Sequence, residues 1–581
     1  MPRLPSRWQR AAIAAALFAT VAAVYAPARH YGFLQLDDNE YVTENAAVRS
    51  GLNAGSVRWA FTAYHSGHWH PLTWLSLAAD CQWFGVDPGA LHRTNVVLHA
   101  IASVLLFFAL HSATGRLSRS AVAAGLFALH PLRVESVAWI AARKDVLSGF
   151  FLVLLLLAWS AWARKRTWPR YAAVFLAFAC GLLAKPTLAV VPAGLLLMDW
   201  WPLCRFPFSP APEEAATSGS GGRRSTLRLV AETLPLLALS AATLTNTWAA
   251  QNAAGAVMSS DLLPLSTRLA NATWNYALYL ARSAWPFDLA VFYPLARVPA
   301  DKVAAAATLL CLATLLAWRQ RARRPWLLFG WLWFCGTLLP VSGIIQFGGQ
   351  AMADRYSYIP HVGLLVAVVW EAADRLSAPG LSSAWKPFAA AFALAASAAL
   401  SSAQLAWWSD SLTLLGHAID VTSGNYLAHN NLGVALEALG RRDEAAAHYE
   451  ETARLNPTWP EAQNNVGIAS AWKGRIDEAI AHFEAALRVR PDFAKAHNNL
   501  ATALSSQGKA DEAIAHFRRA IEIDPSYVDA RVALGLMLER RGELAAAEDQ
   551  FRVASSLAPG FAPAAEDLAR VRARMSGGAT P

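Results

Sequence analysis

DEAIAHFEAALRVRPDFAKAHNNLATALSSQGKA, residues 477–510, is followed by DEAIAHFRRAIEIDP at 511–525 and preceded by DEAAAHYEETARLNP at 443–457. The period is 34 residues, and Pro457, Pro491, Pro525 and Pro559 keep it. NNLG at 430, NNVG at 464, NNLA at 498 and VALG at 532 recur in the same step. Small residues return at fixed helix contacts, and a proline closes each unit where it cannot continue a helix. The C-terminal part is therefore an array of helix pairs, each burying its apolar face against the next.

Helix pairs at this period are the signature of the tetratricopeptide repeat, whose arrays form a solenoid with a concave groove that binds polypeptides. SDSLTLLGHAIDVTSG, 409–424, with Ser423 at the proline position, reads as a degenerate leading half-repeat. The first helix of each unit lines the groove, so Asn431, Asn465 and Asn499 are expected to form a ladder of acceptor-binding amides. An amide offers a donor and an acceptor, and so pairs with a peptide backbone whatever its side chains. Ala533 interrupts the ladder at the fourth unit. The repeats name a partner class, a protein, and no reaction.

Upstream the composition changes. The chain of 581 residues is 55% hydrophobic and 16% charged, with a mean hydropathy of +0.28, too apolar for an ordinary soluble protein. The apolar runs lie before about residue 407, at 10–27, 93–112, 119–130, 145–163, 170–184, 187–203, 227–246, 303–318, 326–345, 357–371 and 387–406. The expected fold is all-α: a polytopic transmembrane domain of about eleven spans over 1–407, a repeat solenoid over 408–574 and a disordered tail over 575–581. The first run is expected to stay as an anchor rather than be cleaved as a signal peptide.

The net charge of +9 is not that of a nucleic-acid surface, because the basic residues cluster at the ends of apolar runs. With the N-terminus inside, Arg116/Arg119, ARKRTWPR (163–170), Arg223-Arg224 in the linker 204–226, and RQRARR (319–324) all fall on the cytoplasmic side. This holds only if 269–294 is re-entrant or interfacial. The loops 28–92, 131–144, 246–302 and 346–356, and the repeats, then face outward, in a multi-pass protein of the cytoplasmic membrane. Five cysteines without C-x-x-C spacing indicate neither a zinc site nor a disulfide framework.

The outer face carries cations where topology predicts few, Arg143, Lys144, Lys185 and Arg355, together with the paired carboxylates of FLQLDDNEYVTEN (33–45). Either these charges bind an anionic ligand, or they bind lipid headgroups and pair with Glu135, Asp145 and Asp354. Glu135 and Arg143, eight apart, share a face if 133–144 is helical, as a structural pair or a catalytic one. His65, His68 and His70 make only a weak H-x-H metal signal, so no metal or other cofactor is expected.

LDDNEYVTEN, HWHPLTWLSLAADCQWFG, LHRTNVVLHA, ALHPLRVESVAWIAARKDVLSGFF, LLAKPTLAVVPAGLLLMDWWP and ADRYSYIPHVGLL, in this order and ahead of the repeats, resemble the tetratricopeptide-containing transmembrane O-mannosyltransferases. The chain looks like a bacterial-type member. The resemblance implies a polytopic type C glycosyltransferase with a polyprenyl-phosphate sugar donor and a first-loop aspartate as base. Pro186 stands where the animal members have an acidic residue.

Sugar transfer to a hydroxyl needs a carboxylate to take a proton and cations to stabilise the phosphate that leaves. Asp37 or Asp38 is expected as the base, with Glu135 a further catalytic candidate. Arg143, Lys144, Lys185 and Arg355 are expected at the donor phosphate, and His70 and His130 at substrate. The alternative for Asp37-Asp38-Asn39 is a solvated turn. The expected reaction moves mannose or another hexose to Ser/Thr hydroxyls of an extracytoplasmic protein recruited by the repeats. The competing readings are an envelope lipid or polysaccharide ligase or polymerase, and a non-catalytic membrane-anchored scaffold.

Overall fold

The computed structural model describes residues 7–210, 224–253, 263–346, 348–377, 385–558 and 560–577. Arg223, Pro559 and the tail from 578 lie outside the described residues. The chain forms two compact units, 1–423 and 424–581. The leading half-repeat is the helix Ser411–Val421 and falls in the first unit.

In the first unit each apolar run marked as a span overlaps helix, while 201–203 and 342–345 at the ends of two runs do not. Among the described residues five helices are long and apolar enough to cross a membrane: Pro88–Thr114, Ile140–Arg164, Thr226–Asn252, Ala300–Arg319 and Trp385–Ala406. Leu117–Leu129 and Pro131–Ala138 qualify together as one run bent by 59°, and Trp168–Ala184, Pro186–Trp200 and Pro325–Val341 are shorter apolar helices. The segment 269–294 becomes the helix Leu265–Ala284 and an irregular run. That run ends in the strand Tyr293–Pro294, paired antiparallel with Gln350–Met352.

Prolines set the breaks that shape the loops expected on the outer side. His130 precedes Pro131 and is extended (φ −73°, ψ 134°), as a residue before proline prefers. A second break follows at Trp139 (φ −84°, ψ 123°), before the helix Arg143–Arg164 starts. The run 133–144 is thus not one helix, and the expected shared face of Glu135 and Arg143 does not exist. Lys185, before Pro186, is extended for the same reason (φ −157°, ψ 126°). In the first loop, Asn53 and Ser56 form a capping box that starts the helix Ala54–Thr62, and Asp87 caps Pro88–Thr114 through the Gly89 and Ala90 amides.

The second unit is the repeat array. Gly440, Gly474, Gly508 and Gly542 end the first helix of successive units at φ between +74° and +80°, a conformation that glycine adopts without strain. Gly467 faces the Phe483 ring so closely that a Cβ there would stand 2.6 Å from a ring carbon.

Candidate functional site

The adjacent aspartates of the first loop part company. Asp38 is fully buried, and its carboxylate accepts the amides of Leu34 at 3.0 Å and Ala141 at 2.9 Å. It fastens the first loop to the turn that follows Trp139, and burial pushes its pKa up to about 7. Asp37 is half-buried, and no hydrogen bond or ion pair engages its carboxylate among the described residues. Asp37 is the opposite charge that acts most strongly on Lys144.

Lys144 is buried and makes no ion pair among the described residues. Its ammonium donates to the Tyr41 hydroxyl at 2.6 Å and lies 4.5 Å from the centre of that ring. Tyr41 packs in turn on Trp74, which with Trp59 and His65 forms an aromatic wall. Lys185 pairs with Asp145 and lies 5.6 Å from the Tyr356 ring centre. The other carboxylate oxygen of Asp145 is buried with no partner among the described residues.

Arg355 is held by Glu135, which pairs with its guanidinium and also accepts its backbone amide at 2.8 Å. The rings of Trp139 and Tyr356 flank the same guanidinium, each centred 5.1 Å away. Asp354, one of the three acids weighed as alternative partners for these cations, instead accepts from the Tyr293 hydroxyl, and burial raises its pKa to about 7.

His68 and His70 stack with ring centres 4.9 Å apart. Burial, and then the charges of Lys144, Lys185 and Arg355, press the His68 pKa down to about 3. Burial first, then His68, Lys144 and Lys185, hold His70 well below the usual imidazole value. Both imidazoles are neutral near pH 7 and sit in a positive field. The His70 Nδ1 is buried without a partner among the described residues, an arrangement that costs free energy unless something else bonds to it. Among the described residues no three His, Cys, Asp or Glu side chains converge as metal ligands.

Asp37, Lys144, Lys185, Arg355 and His70 therefore come together, with Glu135 behind Arg355. Two expected members point elsewhere. Arg143 is fully buried and pairs with Asp80 at 2.7 Å, and it also donates to Asn95, to Ser76 and to the Leu91 carbonyl. It ties the helix Arg143–Arg164 to the helices Pro71–Phe84 and Pro88–Thr114. His130 accepts the Leu132 amide through Nδ1, bonds the Ser283 carbonyl through Nε2, and meets His361 edge to face. Tyr41, Trp139 and Tyr356 were not singled out from the sequence. Tyr41 and Tyr356 sit beside charged residues in the sequence, and Trp139 lies four positions from both Glu135 and Arg143.

In the repeats, Asn465 donates to Asn430 at 2.8 Å and Asn499 to Asn464 at 2.9 Å. Asn431 donates to the Leu427 carbonyl of its own helix. The ladder thus knits successive units together. It ends at Asn498, whose buried Oδ1 has no donor among the described residues because Ala533 stands where the next asparagine would be.

Tetratricopeptide-repeat profiles match residues 426–459, 473–528 and 507–560. The human protein O-mannosyl-transferase TMTC1 is 24% identical over 496 residues, 72% of this chain and 52% of that one. Drosophila melanogaster Tmtc1 is 30% identical over 21% of this chain and 14% of its own, and Xenopus laevis tmtc2 is 35% identical over 17% and 12%. Both of these carry the same protein O-mannosyl-transferase name. The chain thus spans about half the length of the human relative and a smaller share of the other two. Among solved structures, the crystal structure of MamA aligns with 26% of this chain and 89% of its own, at 22% identity and a TM-score of 0.23. The chain's homologues are protein O-mannosyl-transferases.

Proposed function

We propose, from that kinship and from the opposed charges of Asp37 and Lys144, that the chain is a membrane glycosyltransferase. It moves a hexose, mannose by kinship, from a polyprenyl-phosphate donor to Ser/Thr hydroxyls of an extracytoplasmic protein recruited by the repeats. One observation carries the reading: among the described residues a buried ammonium makes no ion pair, and the opposite charge acting most strongly on it is a carboxylate that no hydrogen bond engages. Such a pair is costly to the fold on its own account and suits a reaction that consumes one negative and one positive role.

The chemistry follows from those roles. The acceptor hydroxyl attacks the anomeric carbon, Asp37 takes its proton, and the bond from that carbon to the phosphate oxygen breaks. Negative charge then grows on the leaving phosphate. Lys144 meets it, and Lys185 adds positive potential at the same place. Fixed charges aimed at developing charge need no reorganisation as the bond breaks. Arg355 offers the guanidinium edge that Glu135 leaves open, and the neutral His70 bonds to substrate through Nδ1. Asp38, with both oxygens engaged, positions the loop that carries Asp37. Arg143 serves the fold, and His130 packs the helix break. The repeat asparagines hold the solenoid in register, and the edges left over at Asn431 and Asn498 contribute to acceptor capture.

Mass spectrometry of extracytoplasmic proteins from cells with and without the gene tests this reading. Loss of a hexose from Ser or Thr supports it, and an unchanged glycoprotein set overturns it.

A further inference from the structure

The outer face of the helices Ala300–Arg319, Pro325–Leu338 and Pro360–Arg375 encloses a groove of about 440 Å³. Its walls are apolar: Leu316 and Ala317 from the first helix, Leu327 and Trp331 from the second, Leu364 and Val368 from the third. Leu316 and Val368 are 58% and 53% exposed, so water does not border them in a membrane protein. One end is charged. Glu371 and Arg375 line it, and Arg324 and Arg375 both pair with Glu371.

That end lies far from the candidate site. Arg355 precedes the N-terminus of the helix Pro360–Arg375, while Glu371 and Arg375 stand at its C-terminus. At ~1.5 Å per residue the helix separates them by roughly 24 Å, about the thickness of a bilayer core. The charged end also adjoins RQRARR, 319–324. Among the described residues the acids that pair with the five arginines here (319, 321, 323, 324 and 375) are Glu371 and Asp374, so the mouth is strongly positive. The basic-loop pattern places it at the cytoplasmic leaflet, where anionic lipids gather.

We propose that this groove binds one anionic phospholipid, an acyl chain between the three helices and the headgroup phosphate at Arg321, Arg324 and Arg375. The helices supply the shape and the arginines the selectivity. A zwitterionic lipid fills the groove equally well but gains little from the charged mouth. Because the charged mouth lies at the opposite end of Pro360–Arg375 from Arg355, its role is independent of the proposed sugar transfer.

Native mass spectrometry of the full chain in detergent, titrated with phosphatidylglycerol and with phosphatidylcholine, tests the proposal. One saturable phosphatidylglycerol should bind, with phosphatidylcholine at least tenfold weaker. Arg321→Gln with Arg375→Gln should weaken it about 25-fold, about fivefold per arginine near the headgroup. Val368→Trp, which fills the groove at a lipid-facing position, should abolish it, while Leu312→Trp, on an exposed face of the helix outside the lining, should not. Equal binding of the two lipids, or unchanged binding in both groove variants, means annular lipid only and overturns the proposal. Displacement of phosphatidylglycerol by an equal concentration of polyprenyl phosphate also overturns it, because the groove then belongs to the carrier.

Discussion

Asp37→Asn and Asp38→Asn differ by one position and should differ by orders of magnitude. Replacing the Asp37 carboxylate leaves every described hydrogen bond of the loop in place, because none engages it. What is lost is the base. A positioned general base is worth roughly 100- to 10,000-fold in rate, or about 3–5 kcal/mol of barrier. Asp38→Asn keeps the shape and one acceptor oxygen. It gives up one of the bonds to Leu34 and Ala141, a loss of about 1 kcal/mol, so activity should fall no more than about tenfold. The assay is transfer of radiolabelled hexose from a polyprenyl-phosphate donor by each purified variant at saturating donor, with thermal unfolding measured alongside. Near-native turnover in Asp37→Asn, or a larger loss in Asp38→Asn, refutes the assignment of roles.

Arg143→Gln should cost about 3–5 kcal/mol of stability, since it strands the buried Asp80; a thermal midpoint within a degree of the parent would contradict the anchoring role. Lys144→Met should lower turnover with stability unchanged or improved, as expected when an unpaired buried charge is removed; equal loss of both would make it structural. Stability should also depend on pH. Asp38 and Asp354, pushed up to about 7 by burial, bind their protons more tightly folded than unfolded, where carboxyls titrate near ~4. Their contribution is complete below that value and is lost as pH rises through 7. Thermal midpoints should therefore fall from pH 5 to 8, less so in Asp38→Asn; a rising midpoint would contradict the burial of these groups. Alanine at Asn431, Asn465 and Asn499 removes two inter-unit bonds, about 1–3 kcal/mol, and should impair transfer to a protein acceptor more than to a short peptide. Equal effects on both substrates would leave the ladder a purely structural one.

Helices and repeats were legible because their signals are periodic or long: apolar runs closed by basic residues, and a 34-residue unit closed by proline. The site was legible by class of residue but not by direction. Asp37 and Asp38 are the same residue type side by side, and only the fold decides which of them meets the Leu34 and Ala141 amides. Arg143 and Lys144 diverge because adjacent helical positions point about 100° apart, one toward Asp80 and the other toward Tyr41. The break at Trp139 has no proline or glycine to announce it, so the Glu135–Arg355 pairing across 220 residues could not be foreseen from an eight-residue spacing. In the repeats the period gave the asparagines their register. That the second amide of one unit bonds the first of the unit before depends on how the units stack.

Reconstitution tests the central claim most directly. The full chain, purified into lipid vesicles with radiolabelled polyprenyl-phosphate mannose and a Ser/Thr-containing acceptor protein, should place base-labile label on the acceptor. It should release polyprenyl phosphate in equal amount, and the Asp37→Asn chain should do neither. Label transferred equally by the Asp37→Asn chain, or no label from the parent chain with any polyprenyl-phosphate hexose, would contradict the account.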